Sequence, residues 1–157
     1  MTILMPRTGY AMRSLVLATG GELVTAQCET HWEYDAASDV LDVYFGEKRR
    51  EWSIELTDNI VIIIDRAREA VVGLSFLDYS VLLEPTPLGP RSFPVTGLAD
   101  LPIVERDLVL KLITSEPVRF WLDVSAVHHL PDSPFTVAHV QRPPEEVSRL
   151  LSLPASA

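Results

Sequence analysis

Between residues 30 and 83, apolar and polar residues alternate with a period of two, the repeat of a half-buried strand. Leu41, Val43 and Phe45 point one way and Asp42, Tyr44 and Gly46 the other, after a turn over Asp35 to Asp39. Beyond the charged turn Glu47 to Glu51, Trp52, Ile54 and Leu56 alternate with Ser53, Glu55 and Thr57, and the two runs predict a hairpin. Thr57, Asp58 and Asn59 bend the chain. Ile60 to Ile64 contains no polar residue, which predicts a β-branched strand buried on both faces at the centre of the core. After a turn over Asp65 to Ala70, the stretch Val71 to Tyr79 returns with Val72, Leu74 and Phe76 on its apolar face, and Gly73 permits close approach of a neighbour. Connections this short join antiparallel neighbours, because a parallel crossover needs about a dozen residues. Residues 30–83 therefore predict an antiparallel meander.

Five of the twelve prolines fall between Glu84 and Pro102, so neither a helix nor a central strand runs through residues 84–102, which form a linker or a long loop. Ile103 to Thr114 reads either as a helix, through Val104, Leu108 and Leu112, or from Leu108 onward as a strand. The pattern of residues 115–124 favours the strand. Ser115-Glu116-Pro117 is a turn, and Val118, Phe120, Leu122 and Val124 then alternate with Arg119, Trp121 and Asp123, which makes a second hairpin. Phe135 to Gln141 predicts a further strand. Pro143 and Pro144 with Glu145 and Glu146 start a carboxy-terminal helix, with Val147, Leu150 and Leu151 on its apolar face. The expected organisation is an extension over 1–29, the meander, the proline-rich segment, and a second β-rich segment over 103–157 packed on the first. The fold class is α+β, β-dominated. Asp39 to Leu56 and Asp107 to Val124 share a pattern that any two antiparallel hairpins share, so no duplication is inferred.

Charge narrows the partners. The formal net charge is -9, and residues 29–78 hold 12 acids against 5 bases, so the acidity is local. Nucleic acid and anionic membranes need clustered cations, and the one compact cluster, Lys48-Arg49-Arg50, is flanked by Glu47 and Glu51. A charge-steered partner should be basic. The longest apolar runs fall far short of the about 20 residues that cross a bilayer. The apolar stretch Ser14 to Ala18 after Arg13 is too short for a signal peptide. Met12 just before it offers an alternative start to Met1. Cys28 is the single cysteine, so no intramolecular disulfide forms and a reducing cytoplasm is the expected location.

The order Tyr34-Asp35, Asp39, Leu41-Asp42-Val43, Asn59 to Asp65, and Val72-Gly73-Leu74-Ser75-Phe76-Leu77-Asp78-Tyr79-Ser80 resembles the bacterial domain of unknown function 2283 family over about residues 30–80, a third of the chain. This family's pattern is a Tyr-Asp, an Asp four residues on, an apolar strand ending in Asp and a closing Val-Gly strand that runs into Leu-Asp-x-Ser. The turn Arg66 to Ala70 departs from the glycine-containing turn common in the family. The resemblance implies the antiparallel sheet and no reaction. Members encoded beside small toxins suggest an antitoxin role at the level of the family only.

Candidate chemistry is sparse. Asp35, Asp39 and Asp42 lack the spacing of an EF-hand, and Asp35 and Asp39 are expected to bond amides in their turn. His128, His129 and His139 are weak metal candidates, because adjacent histidines on a strand face opposite ways; His129, His139 and Asp132 would meet only across the 130–134 turn. No nucleophile elbow, phosphate loop or dinucleotide fingerprint occurs, so no catalytic residue and no cofactor is assigned. Trp52 is expected in the core, while Trp121 and Arg119 on a polar face, with Tyr79, are interface candidates. The expected function is a non-catalytic protein-binding or self-assembly module, in its simplest form a homodimer. An antitoxin-like inhibitor of a small basic protein is the second reading, and a metal-dependent enzyme using the histidines the third.

Overall fold

The computed structural model of the protein describes residues 10–13, 27–47, 51–127, 135–141, 145, 148 and 149. Strands β1 (Tyr10–Arg13), β2 (Gln27–Asp35), β3 (Val40–Phe45), β4 (Trp52–Thr57), β5 (Ile60–Asp65) and β6 (Ala70–Phe76) form one antiparallel sheet in the order β1-β2-β3-β6-β5-β4. A short helix α1 (Tyr79–Leu82) comes next, then β7 (Phe93–Pro94), helix α2 (Ile103–Ile113), β8 (Leu122–Val127) and β9 (Phe135–Val140). The last strands make a second antiparallel sheet in the order β7-β9-β8. The fold is α+β and dominated by antiparallel strands.

The expected hairpin of β3 with β4 does not form. β3 pairs with β6, and β4 lies three strands away at the edge. The reason is burial. Val71 to Leu74 of β6 are all buried, so this strand has to lie inside the sheet, whereas β4 exposes Ser53 and Glu55 and suits an edge. Three strand spacings are about 14 Å, within the about 20 Å that six extended residues can span. β5 is also less enclosed than its composition suggests. Ile60, Ile62 and Ile64 are fully buried, but Val61 and Ile63 on the other face are only half-buried.

One face of the large sheet builds the core in registered rows. Trp32, Val43, Leu74, Ile62 and Ile54 form one row, and Tyr34, Leu41, Phe76 and Ile60 the next. Against them pack Val95, Leu98, Val109, Ile113, Val118, Trp121, Leu122, Ala138 and Val140, so residues on both sides of the proline-rich segment share one core. That segment is ordered. It makes a tight turn between Thr86 and Gly89, strand β7, and a 3₁₀ turn over Thr96–Leu98 that packs on β4. A Cβ on Gly97 would collide with the backbone carbonyl of Glu55, so only glycine lets the turn cover the edge strand.

Residues 103–113 are helical rather than extended, and the buried stripe is not the one the spacing suggests. Val109 and Ile113 face the core, while Val104 is 81 % exposed. Apolar residues surround this helix, which makes its period ambiguous. The Arg106 guanidinium donates to the carbonyls of Leu98, Ala99 and Leu101 at 2.9, 2.9 and 3.2 Å, and fixes the entry into the helix. The hydroxyls of Thr114 and Ser115 bond carbonyls of its last turn, at 2.7 Å to Leu110 and 2.8 Å to Lys111. The second hairpin is therefore β8 with β9. Residues 145, 148 and 149 have helical backbone, with Arg149 3.4 Å from Glu145, and the rest of the expected carboxy-terminal helix lies outside the described residues.

Gly97→Ala is expected to lower stability by about 2–4 kcal/mol, because the clash is with backbone that has no rotamer to give. The denaturant midpoint measures it, and a midpoint unchanged from wild type would contradict the packing of the turn on β4.

Candidate functional site

At one end of the large sheet the β2–β3 turn, the β4–β5 turn and the start of α1 meet around Asp39, the last residue of the turn between β2 and β3. Asp39 adopts a left-handed conformation (φ 53°), which short acidic side chains tolerate better than most. Its carboxylate accepts the Tyr34 hydroxyl at 2.8 Å, the Ser80 backbone N–H at 3.1 and 3.2 Å, and the Ser80 hydroxyl at 2.6 Å. Its backbone carbonyl accepts the Tyr79 N–H at 2.9 Å. Asp78, also left-handed (φ 52°), accepts the Asn59 side-chain amide at 2.9 Å, which brings in the β4–β5 turn. Tyr34, Asp39, Asp78 and Ser80 thus meet in one clasp. Asp35 does act within its own turn, accepting the Ala37 N–H at 3.0 Å and the Ser38 hydroxyl at 2.8 Å. Asp39 instead reaches across 41 residues.

The two phenols of the clasp are held in their protonated form. Burial, then the hydrogen bond to Asp39, pushes the Tyr34 phenol well above its ordinary range. Burial, then the neighbouring Tyr34, does the same to Tyr79. Both therefore stay protonated through physiological pH. The Tyr79 ring is fully buried, 6.2 Å from the Tyr34 ring and 5.7 Å from that of Phe76.

The face of the sheet away from the core carries two registered rows. In the first, His31, Tyr44, Gly73, Ile63 and Ser53 lie side by side. The Tyr44 ring lies over Gly73, with Cδ1 3.6 Å from where a Cβ would stand, and Tyr44 is buried there. In the second row stand Glu33, Asp42, Ser75, Val61 and Glu55. Glu33 and Glu55 are exposed, the other three are half-buried, and the Ser75 hydroxyl donates to Asp42 across the strands. Among the described residues, this row holds three carboxylates and no base.

Two interface candidates are corrected. Trp121 is 4 % exposed and Tyr79 is 0 % exposed, so neither offers surface to a partner. Trp121 turns inward because residues 118–120 form a 3₁₀ turn, whose three-residue period puts Val118 and Trp121 on one side and leaves Phe120 half-exposed at 48 %. Arg119 is exposed as expected. Trp52 is half-buried at the margin of the core, with the Arg66 guanidinium 3.7 Å from its ring centroid and Arg66 3.5 Å from Glu105 of α2. Of the histidines, His139 stands opposite Asp123 across β8 and β9, at 3.3 Å. His128, His129 and Asp132 lie outside the described residues. Among the described residues no three His, Cys, Asp or Glu side chains are grouped to hold a metal, and no helix is long and apolar enough to cross a membrane. Sequence periodicity alone misses the Asp39–Ser80 contact and the acidic row, because both depend on which strands are neighbours.

Comparison with protein-family models, curated proteins and solved structures returned no match.

Two outcomes are expected of the carboxylates around the β2–β3 turn. Asp39→Ala should cost about 2–3 kcal/mol and Ser80→Ala about 1 kcal/mol, with a coupling of about 1 kcal/mol in the double-mutant cycle, since the two losses share one interaction. Additive losses would show that Asp39 acts only in its own turn. The Asp35 carboxyl should titrate below its ordinary 3.8, because the Ala37 N–H and then the Ser38 hydroxyl favour its ionised form. A carboxylate with a depressed folded-state pKa adds stability above its unfolded value and loses it as the pH falls through the folded one. Carboxyl-detected NMR titration reads this midpoint directly.

Proposed function

We propose that the protein is a non-catalytic protein-binding module that acts through the outward face of its six-stranded sheet, and that about residues 30–80 belong to the domain of unknown function 2283 family. The single observation behind the binding reading is the pair of registered rows. The half-buried Val61 and Ile63 sit within a face whose flanks carry exposed carboxylates. An apolar centre with a charged rim is the usual composition of a protein interface. The family reading is supported by the convergence of Tyr34, Asp39, Asp78 and Ser80 in one clasp, which gives the shared pattern a physical role.

Charge chooses between the partner classes. A second copy stacked on this face would oppose carboxylates with carboxylates and add to a chain already at -9, which disfavours the homodimer. A basic protein would find complementary charge, which favours the second reading, an antitoxin-like inhibitor of a small basic partner.

Sedimentation of the full chain, then capture of partners on wild type and on Ile63→Asp, tests the use of this face. A stoichiometric partner retained by wild type and lost by Ile63→Asp is the expected result. Self-association abolished by the same substitution would keep the face and replace the partner by a second copy. Association unaffected by Ile63→Asp, or none at all, would end the proposal.

A further inference from the structure

Helix α1 does not hold itself in place. Four residues make too few bonds to sustain a helix alone, and no side chain caps its first turn. Two things dock it. The Tyr79 and Leu82 side chains are buried, and polar bonds fasten its entry: the Leu77 N–H on the Asn59 carbonyl at 2.8 Å, the Tyr79 N–H on the Asp39 carbonyl at 2.9 Å, and the side-chain bonds of the clasp. One group opposes the docking. Tyr79 is fully buried, yet its hydroxyl has no hydrogen-bond partner among the described residues, and the Tyr34 hydroxyl, whose ring is 6.2 Å away, is given to Asp39. A buried hydroxyl without a partner forfeits the bonds it makes to water, so the ring is drawn into the core while its oxygen is drawn out. The fastening lies at the surface, where Asp78, Ser80 and Val81 are exposed.

We infer that residues 78–83 are a strap that lifts from the core as a unit while the large sheet stays paired. The Asp39 clasp is its latch, and the unpartnered Tyr79 hydroxyl loads it toward opening. Lifting frees Tyr79 and Leu82 and returns the hydroxyl to water. The strap lies between two anchored segments, since β6 is bonded on both edges by β3 and β5, and the turn at Thr86 and Gly89 closes on its own two backbone bonds. Neither has to move for the strap to lift. Local opening selects segments with few buried side chains and surface hydrogen bonds, and α1 has two buried side chains and a latch at exposed positions. Adjacent residues then act in opposite directions: Ser80 holds the strap down and the Tyr79 hydroxyl pushes it up.

Amide hydrogen exchange of the full chain, followed by NMR in urea kept below the unfolding transition and compared as protection factors, tests this. The amides of residues 79, 80 and 82 are expected to be protected about a hundredfold less than those of β5, to a degree that urea barely changes, because lifting exposes little surface. Tyr79→Phe keeps the ring and removes only the hydroxyl, and should raise the protection of the Leu82 amide about tenfold. Ser80→Ala removes one bond of the latch and should lower it about fivefold. Protection equal to that of β5, with the same urea dependence, would show that α1 leaves the core only when the whole fold opens, and would overturn the inference. Unchanged or lower protection in Tyr79→Phe would overturn it as well, since the hydroxyl would then stabilise the docked helix instead of loading it.

Discussion

The arrangement of the large sheet depends on the burial of β6. A strand with four consecutive buried residues, Val71 to Leu74, needs a neighbour on each edge, and β5 alone supplies only one. β3 takes the other edge, and Gly73 makes that approach possible: a Cβ there would stand 3.1 Å from the Val43 carbonyl. Once β3 is committed to β6, β4 has no place except the far edge. An edge strand exposes backbone groups that invite pairing with other chains, and the 3₁₀ turn around Gly97 lies against it. The shape of the proline-rich segment answers the same constraint, since it brings the turn onto β4.

How much of this is legible in the sequence depends on whether a feature is local. The strands of residues 30–83 are legible because each carries its own period-two pattern, and the close approach at Gly73 is legible because a lone glycine in an apolar strand has few other uses. Strand order is not. Period two fixes which residues share a face but is silent on neighbours, and the short β3–β4 connection makes a hairpin the economical expectation. The differences in the second half have another origin. Apolar residues stand all around Ile103–Ile113, so neither period dominates, and Arg106, which secures the entry into this helix, bonds to carbonyls of Leu98, Ala99 and Leu101 outside it. Trp121 is misplaced by a change of period, from two to three, over only three residues.

The two chemical features of the large sheet differ in how they can be found. The Asp39 clasp joins residues 41 apart, so no short window of sequence holds it. It is a structural device whose physical role only the fold explains. Such a device fixes where the β2–β3 turn, the β4–β5 turn and α1 meet. Burial pushes both phenols further above their ordinary range, so the Tyr34 hydroxyl stays a hydrogen-bond donor to Asp39.

The acidity of the first half then divides into two populations with different physical reasons. Asp35, Asp39, Asp65 and Asp78 sit at turns and accept hydrogen bonds from backbone or side chains, with Asp65 serving the Ala67 and Arg68 N–H groups at 3.0 and 3.1 Å. The fold itself demands these carboxylates. Glu33 and Glu55 are mid-strand, on exposed positions where glutamate is a poor strand former, and Asp42 beside them is poorer still. Local propensity argues against all three, and like charge in one row adds to the cost. Solubility alone would be served by charge anywhere on the surface, without gathering it into one register. Asp42 nonetheless has a partner within the fold, since the Ser75 hydroxyl of β6 donates to it across the strands, which leaves Glu33 and Glu55 as exposed carboxylates at the two sides of a half-buried valine.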